Sequence, residues 1–416
     1  MQIPSPTSFA LAESGHAMAE PHDVSELIYS RTDKRGVILA ANDIFQRVAG
    51  YDREEFIGAP HRLVRHPDMP KGFFHLFWNL LKQNEPAVGY VKNQSKSGRF
   101  YWVLAAVFPC EDGYFSVRIK PTSAFFQTVQ AEYAKQLTKE MTEGLTPEAS
   151  ASAMLARFHE LGFESYAQVM AHAIIEETQG RALALGLGHD PTILHLLKLQ
   201  SKLDEAIKMQ SKLMSLLSGL TFLPANMRLI AGRLETQEGP ISQISKVYKD
   251  GADEISVRLT SFVVGKDNLC GKMATTVRRG IVLDRCAKLH RELVDSEVKE
   301  LTPTISQDLF DKEMQVIEKA GAHALKLRAE AMIEAEALAQ QLTRASSDVR
   351  RMVIGLDTIR ILGRVESRRN DTADRALGPI LDQIDQTQAA ISECLGQLSV
   401  LSADISSIFD LMLTRK

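Results

Sequence analysis

Three side chains able to do chemistry stand within four residues of one another. Arg65, His66 and Asp68 place a cation, an imidazole and a carboxylate in the run Val64-Arg65-His66-Pro67-Asp68-Met69-Pro70. Two prolines stiffen the backbone around them. A guanidinium pairs with phosphate in a planar fork, so Arg65 suits a diphosphate. His66 and Asp68 can hydrogen-bond the polar edge of a ring and so tune its reduction potential. Taken by spacing alone, the same residues also read as a solvated polar turn. About 23 residues on come Val91-Lys92-Asn93 and then Ser97-Gly98-Arg99-Phe100-Tyr101-Trp102, which reads as strand, Gly-centred turn and aromatic strand.

Those residues need a frame, and the surrounding pattern supplies one. Leu27–Arg31 and Val37–Ala40 read as strands joined at Asp33-Lys34-Arg35-Gly36. Asn42-Asp43 can cap a short helix over 44–49, and a further helical turn holds Glu54-Glu55-Phe56. Phe73–Lys82 is helical, with Phe73, Phe74, Phe77 and Trp78 over about half its surface, and strands follow over 87–93, 99–109 and 113–121. Two strands, several short helices and three strands thus fall within roughly 100 residues.

That order and its residues resemble the PAS domains of aerotaxis receptors. The similarity runs through Ala41-Asn42-Asp43, Ala49-Gly50-Tyr51, Ile57-Gly58, the VRHPDMP run with Lys71, Trp78, Glu85-Pro86, Gly89, Val91-Lys92-Asn93 and Tyr101-Trp102-Val103. It covers roughly residues 26–123. The resemblance implies an α+β fold, a five-stranded antiparallel sheet with short helices, and bound FAD. It also implies a redox- or oxygen-sensing role, with Arg65, His66, Asp68, Trp78 and Asn93 at or near the cofactor. Trp78 would offer a ring for stacking and Asn93 an amide to the isoalloxazine edge. Ala87-Val88 stands where that family carries an aromatic. A cofactor-free PAS interaction or scaffold module, or a haem-binding PAS sensor, are the alternatives. His-Pro-Asp is also a co-chaperone J-domain signature, but its neighbours here are strand-like and aromatic rather than helical.

Composition limits the other classes. A formal charge of −3 argues against a protein that works by neutralising nucleic-acid phosphates. Four scattered cysteines, Cys110, Cys270, Cys286 and Cys394, give neither a disulfide framework nor a zinc spacing. No metal site is expected. The most apolar helical run, Leu213–Leu223, is too short for the ~20 residues that a bilayer needs, so a soluble, cytoplasmic protein is expected. His290-Arg291-Glu292-Leu293 faintly echoes a kinase phospho-acceptor box, yet no ATP-binding motif follows, and an enzyme is not expected.

The expected domains are a flexible arm over 1–24, a PAS sensor over 25–123, a helical linker over 124–188 and a long helical bundle over 189–416. The linker helices read as 124–141, 147–161 and 165–185, the second opened by Thr146-Pro147-Glu148. In the bundle, Leu377, Ile380, Ile384, Thr387, Ile391, Cys394, Leu398, Leu401, Ile405, Ile408 and Met412 form a heptad stripe. An internal repeat pairs Gly232-Arg233-Leu234-Glu235 and Gly239-Pro240-Ile241 with Gly363-Arg364-Val365-Glu366 and Gly378-Pro379-Ile380. It implies two hairpins, 191–300 and 303–415, each turning at its Gly-Pro and joined at Thr302-Pro303. These copies weakly resemble the cytoplasmic tip of chemoreceptors, which implies protein partners such as a chemotaxis kinase and its coupling protein. The acidic, alanine-rich tip that makes those contacts is not reproduced here. A homo-oligomer is possible on this reading, although one chain carrying both hairpins would mimic the receptor dimer by itself.

Overall fold

The computed structural model describes residues 22–234, 239–264, 268–299, 307–369 and 371–414. The greater part of the arm over 1–24, the Thr302-Pro303 junction and Glu235 of the first repeat lie outside them. The chain divides into two compact units: one of residues up to 193 with 278–329, the other of 194–277 with 330–416.

In the first unit a five-stranded antiparallel sheet runs β2-β1-β5-β4-β3. Its strands are β1 (Ile28–Asp33), β2 (Ile38–Ala41), β3 (Ala87–Gln94), β4 (Phe100–Cys110) and β5 (Gly113–Ile119). Between β2 and β3 come α1 (Asp43–Ala49), α2 (Arg53–Phe56), a 3-10 turn His61–Val64 and α3 (Lys71–Lys82). Asn42 joins two of these elements. Its Oδ1 accepts from Phe45 N at 3.1 Å, capping α1, and from Tyr29 N at 3.0 Å, while its Nδ2 donates to the Leu27 carbonyl at 2.8 Å.

The linker forms α4 (Ala124–Glu143), α5 (Pro147–Glu160) and α6 (Tyr166–Ala184), each opened by a Ser or Thr cap. Two buried carboxylates bind these helices to the sheet domain. Glu140 of α4 accepts from Lys71 N and Gly72 N, both at 3.0 Å, and so caps α3, whose own cap position is Pro70. Glu177 of α6 accepts from Tyr90 Oη at 2.9 Å, from Thr122 N at 2.5 Å and Ser123 N at 3.1 Å, and from Ser123 Oγ at 2.6 Å.

The remaining helices are α7 (Pro191–Leu234), α8 (Pro240–Val263), α9 (Leu269–Lys299), α10 (Gln307–Ser367) and α11 (Asp371–Thr414). Contacts do not follow the expected boundary at 189. Residues 278–299 of α9 and 307–329 of α10 pack within the first unit, against the sheet, rather than in a separate bundle. Leu283, Ala287, Ala320 and Ala324 form one cluster with Phe108 of β4. His290 stands edge-on to Phe115 of β5, with centroids 4.3 Å apart. Glu313 accepts from Tyr29 Oη at 2.9 Å and from Arg31 Nε at 3.0 Å.

In the second unit α7, α8 and the later part of α10 pack with α11. Ser245 Oγ reaches the Pro224 carbonyl at 2.8 Å, and Ser402 Oγ bonds the Ala339 carbonyl. The α11 stripe is wider than a two-row coiled-coil seam. Leu381, Gln388, Leu395, Ser402 and Phe409 form a further buried row beside Leu377, Ile384, Ile391, Leu398 and Ile405. Such a face meets several helices at once.

The hairpins differ from the repeat reading in two ways. Gly239-Pro240 does open α8, with Pro at the first turn. Gly378-Pro379 instead lies inside α11, and α10 already ends at Ser367. A proline in the first turns of a long packed helix loses one backbone bond, which the buried stripe on either side offsets. The outgoing arm of the first hairpin is also not one helix, since α8 ends at Val263 and Asn268 restarts the chain, its Oδ1 accepting from Gly271 N at 2.9 Å.

Candidate functional site

Strand alternation fixes what faces inward, toward α1, α2 and the 3-10 turn. Residues opposite one another in an antiparallel pair project to the same face. Ser30 pairs with Ser116, Ile28 with Arg118, Ala105 with Arg118, Val103 with Val91, and Tyr101 with Asn93. This inner face therefore carries Ser30, Ser116, Arg118, Tyr101 and Asn93 among apolar neighbours. Phe45, Val48, Ala49, Phe56 and Val64 close over it and form one core with Ile28, Ile38, Tyr101 and Val103. The outer face carries Tyr29, Phe115, Val117, Phe108, Tyr90 and Trp102, against which the helices pack.

Arg118 is 4% exposed. Its Nη2 donates to Ser30 Oγ at 2.8 Å and to His61 Nε2 at 2.6 Å, and its guanidinium lies 4.6 Å from the centroid of the Phe45 ring. Burial holds the guanidinium down to about 10. Burial and then the charge of Arg118 hold the His61 imidazole down to about 3, so it is neutral and accepts. Burial pushes the Tyr101 hydroxyl up, and the charge of Arg118 and then the Asn93 side chain beside it oppose that rise. Four polar atoms here are buried without a hydrogen-bond partner among the described residues: Asn93 Nδ2, Tyr101 Oη, Ser116 Oγ and Arg118 Nη1. Buried polar groups are normally paired, so four unspent ones on one face make it the candidate place for a polar ligand. Two are donors only, which favours an acceptor-rich edge.

The five residues singled out in the sequence do not converge on one point. Asn93, 2% exposed, lies on the inner face beside Tyr101. The Arg65-His66-Asp68 turn wraps the margin of β3 instead. Arg65 forms a backbone bridge with Asn93, and its guanidinium stacks 3.5 Å from the centroid of the Phe74 ring. Arg65 is exposed as a residue, and the partial desolvation of its guanidinium lowers its pKa. The His66 N–H donates to the Lys92 carbonyl at 3.3 Å, and its Nδ1 accepts from Asp68 N at 3.1 Å. Asp68 is exposed and accepts from Lys92 Nζ at 3.0 Å. By the same rule Arg65, bridged to Asn93, projects to the side of the Asn93 amide, while Lys92 belongs to the outer face, so this turn holds the edge strand from both sides.

Trp78 of α3 meets Tyr114 edge-on at 5.4 Å and covers Gly36, whose φ of +81° closes the β1–β2 turn. Tyr114 pairs with Pro109 of β4, whereas Asn93 pairs with Tyr101. Eight residues of strand, on the order of 25 Å, separate those two ends of the sheet. Arg118, Ser116, Ser30 and His61 were not singled out in the sequence. A signal existed in Phe115-Ser116-Val117-Arg118-Ile119, where polar residues recur with period two in an otherwise apolar strand.

Elsewhere the chemistry is sparse. A groove of about 680 Å³ in the second unit is lined by Lys202, Lys208, Arg350 and Glu393 among others, but Lys202 is already engaged by Asp404 at 3.1 Å. Burial pushes the thiols of Cys270 and Cys286 up to about 12, which leaves them unreactive at neutral pH. No helix among the described residues is long and apolar enough to cross a membrane.

Comparison with known proteins places part of the chain in a fold family. Residues 38–114 match the PAS fold family. The chain is similar to the aerotaxis receptor of Escherichia coli strain K12, 40% identical over 127 residues, which cover 28% of this chain and 25% of that one. It is also similar to the biofilm dispersion protein BdlA of Pseudomonas aeruginosa, 34% identical over 82 residues, 20% of each chain. A solved PAS domain from Colwellia psychrerythraea aligns over 23% of this chain and 85% of its own length, with 19% identity and a TM-score of 0.21. The matched segment thus spans a quarter or less of either curated relative. The front of the chain is a PAS domain homologous to those of signalling proteins.

Proposed function

We propose that this PAS-containing chain is a redox- or oxygen-sensing signal-transduction protein whose sheet holds FAD on its inner face. The observation that carries the reading is the unspent Asn93 amide on the inner face of β3 and β4, strands whose outer face is packed with helices. Bound FAD supplies a ring whose charge and hydrogen bonding change when it takes up electrons. Asn93 offers a donor to that ring, and the apolar cover from α1 and α2 excludes water from it. Arg65, His66 and Asp68 act here as positioning residues. Their bridge to Asn93 and their hold on Lys92 fix the strand on which the amide stands.

The similarity to an aerotaxis receptor supports an output of the chemotaxis type, delivered to protein partners such as a histidine kinase and its coupling protein. On this reading the chain is a cytoplasmic sensor and performs no catalysis of its own. The absorption spectrum of full-length protein purified from its host tests the reading. Flavin bands near ~450 nm are expected, and Asn93→Ala should remove them while helix content stays unchanged. Protein that stays colourless after FAD is added would show a cofactor-free docking module, and a sharp band near ~400–420 nm would show haem.

A further inference from the structure

We infer that Arg118 is the cation of this ligand pocket, meeting the carbonyl-rich, electron-accepting edge of the bound ring and setting how readily that ring holds electrons. The inference rests on the flavin reading above, and it moves the charge from the Arg65 turn at the margin of β3 to a buried residue of β5.

The ground is an electrostatic imbalance. Arg118 is 4% exposed, and no carboxylate among the described residues pairs with it. Its two partners are the Ser30 hydroxyl and the His61 ring, both neutral. A buried charge is normally paired, because taking it out of water is costly. This one keeps Nη1 unspent, on the same face as the unspent Ser116 hydroxyl two residues away. The fold therefore carries an uncompensated positive charge against the largely apolar inner face of the sheet, with the unspent donors on the same face. Such a site suits a planar ligand with carbonyl oxygens whose electron density rises on reduction. Two electrons from an external reductant, dithionite in the assay, and one proton from water leave an isoalloxazine with one negative charge. Arg118 stabilises that form more than the neutral oxidised one. Arg65 cannot do the same from its stack on Phe74.

The test uses full-length wild type, Arg118→Gln and Arg118→Lys, each titrated with FAD and with riboflavin, followed by measurement of the reduction potential of the bound flavin. In R118Q the reduced ligand should be held about tenfold more weakly than the oxidised one, relative to wild type. That lowers a two-electron potential by about 30 mV. R118K should recover most of the shift. Both ligands should weaken by the same factor, because the ring is common to them; a loss confined to FAD would assign Arg118 to the diphosphate and overturn the inference. A folded R118Q that binds flavin with the wild-type potential overturns it as well. Should R118Q lose its helix content, Ser116→Asp carries the test. A carboxylate two positions along the same face neutralises the guanidinium and should lower the potential in the same sense, and an unchanged potential refutes the assignment. Wild-type protein that takes up no flavin removes the flavin reading itself, before any variant is compared.

Discussion

Replacing Glu177 should loosen the sheet domain from its helical linker without touching the ligand face. Glu177 is fully buried on α6 and accepts from two backbone N–H groups and three hydroxyls. Those donors belong to Tyr90 on β3 and to the Thr122-Ser123 corner where β5 passes into α4. A hydrogen bond to a charged group contributes about 1.5–3 kcal/mol net, and a donor left buried without a partner costs about 1–3 kcal/mol. The contributions within such a network are not additive. Several of those neutral donors left unpaired together should cost about 3–5 kcal/mol. We expect that loss for Glu177→Ala. Glu177→Gln keeps the shape and one acceptor oxygen but turns an NH2 toward donors, and should cost about 2–3 kcal/mol.

The assay is denaturant unfolding of full-length protein followed by fluorescence. The chain has two tryptophans, and Trp102 packs between Phe126 and Tyr133 beside this corner, with centroid distances of 5.3 and 6.4 Å. Its transition reports the junction itself, while far-ultraviolet circular dichroism reports the helices at large. An early Trp102 transition ahead of the helical one is the expected signature in E177A. Loss of less than about 1 kcal/mol in E177A would refute the reasoning, because it would mean that water or a rearranged corner satisfies the donors at no cost.

Two further outcomes follow from the sheet's surroundings. His290, 2% exposed, has both ring nitrogens without partners among the described residues, and burial holds its pKa down to about 3. The folded protein therefore binds fewer protons than the unfolded chain below the ordinary imidazole value of 6.5, and stability falls as pH drops from there toward 3, by up to about 1.4 kcal/mol per unit. His22 and His61 are lowered likewise and add slope of the same sign. Denaturation curves at pH 7 and 5.5 should show His290→Leu at least as stable as wild type at the higher pH and visibly less pH-sensitive; an unaltered slope would count against a neutral buried ring. Gly89→Ala should cost about 1–3 kcal/mol through overpacking. An added Cβ would lie 2.5 Å from Phe73 Cε2 and 3.1 Å from Tyr166 Oη, and a thermal melt equal to that of wild type would show that the Phe73 ring moves aside freely.

The PAS elements were legible because local signals there agree with one another. Asn42 announces the start of α1, Gly36 and Gly50 mark turns at positive φ, and the strands alternate cleanly enough to place β3 and β4 within two residues. The linker helices were legible from Ser123, Thr146 and Ser165, each of which caps the helix that follows. The docking of α9 and α10 on the sheet was not. Leu283, Ala287, Ala320 and Ala324 continue the same helical period as residues that pack in the second unit. Periodicity reports that a face is buried, not against what. No Gly-Pro or cap marks residue 329, where α10 passes from one unit to the other. The site shows the same division. Asn93 stood out by motif, whereas Arg118 was hidden because β5 is buried on both faces, so its polar residues looked like interruptions of a core strand rather than a polar inner face.

That two-sidedness joins the halves of the proposed mechanism. Ser116 and Arg118 project to the ligand face, and Phe115 and Val117 of the same strand project to the helices. Neighbouring residues of a hydrogen-bonded strand cannot shift independently by much, since β5 is held on both sides, by β1 and by β4. A change in what Arg118 must neutralise therefore bears on Phe115, 4.3 Å from His290 on α9. The helices, for their part, grip the sheet through small alanines and one carboxylate, Glu313, held by Tyr29 and Arg31. Contacts of that size can be weighted between a docked and a loosened arrangement by the few kcal/mol that a charge change at a buried site supplies.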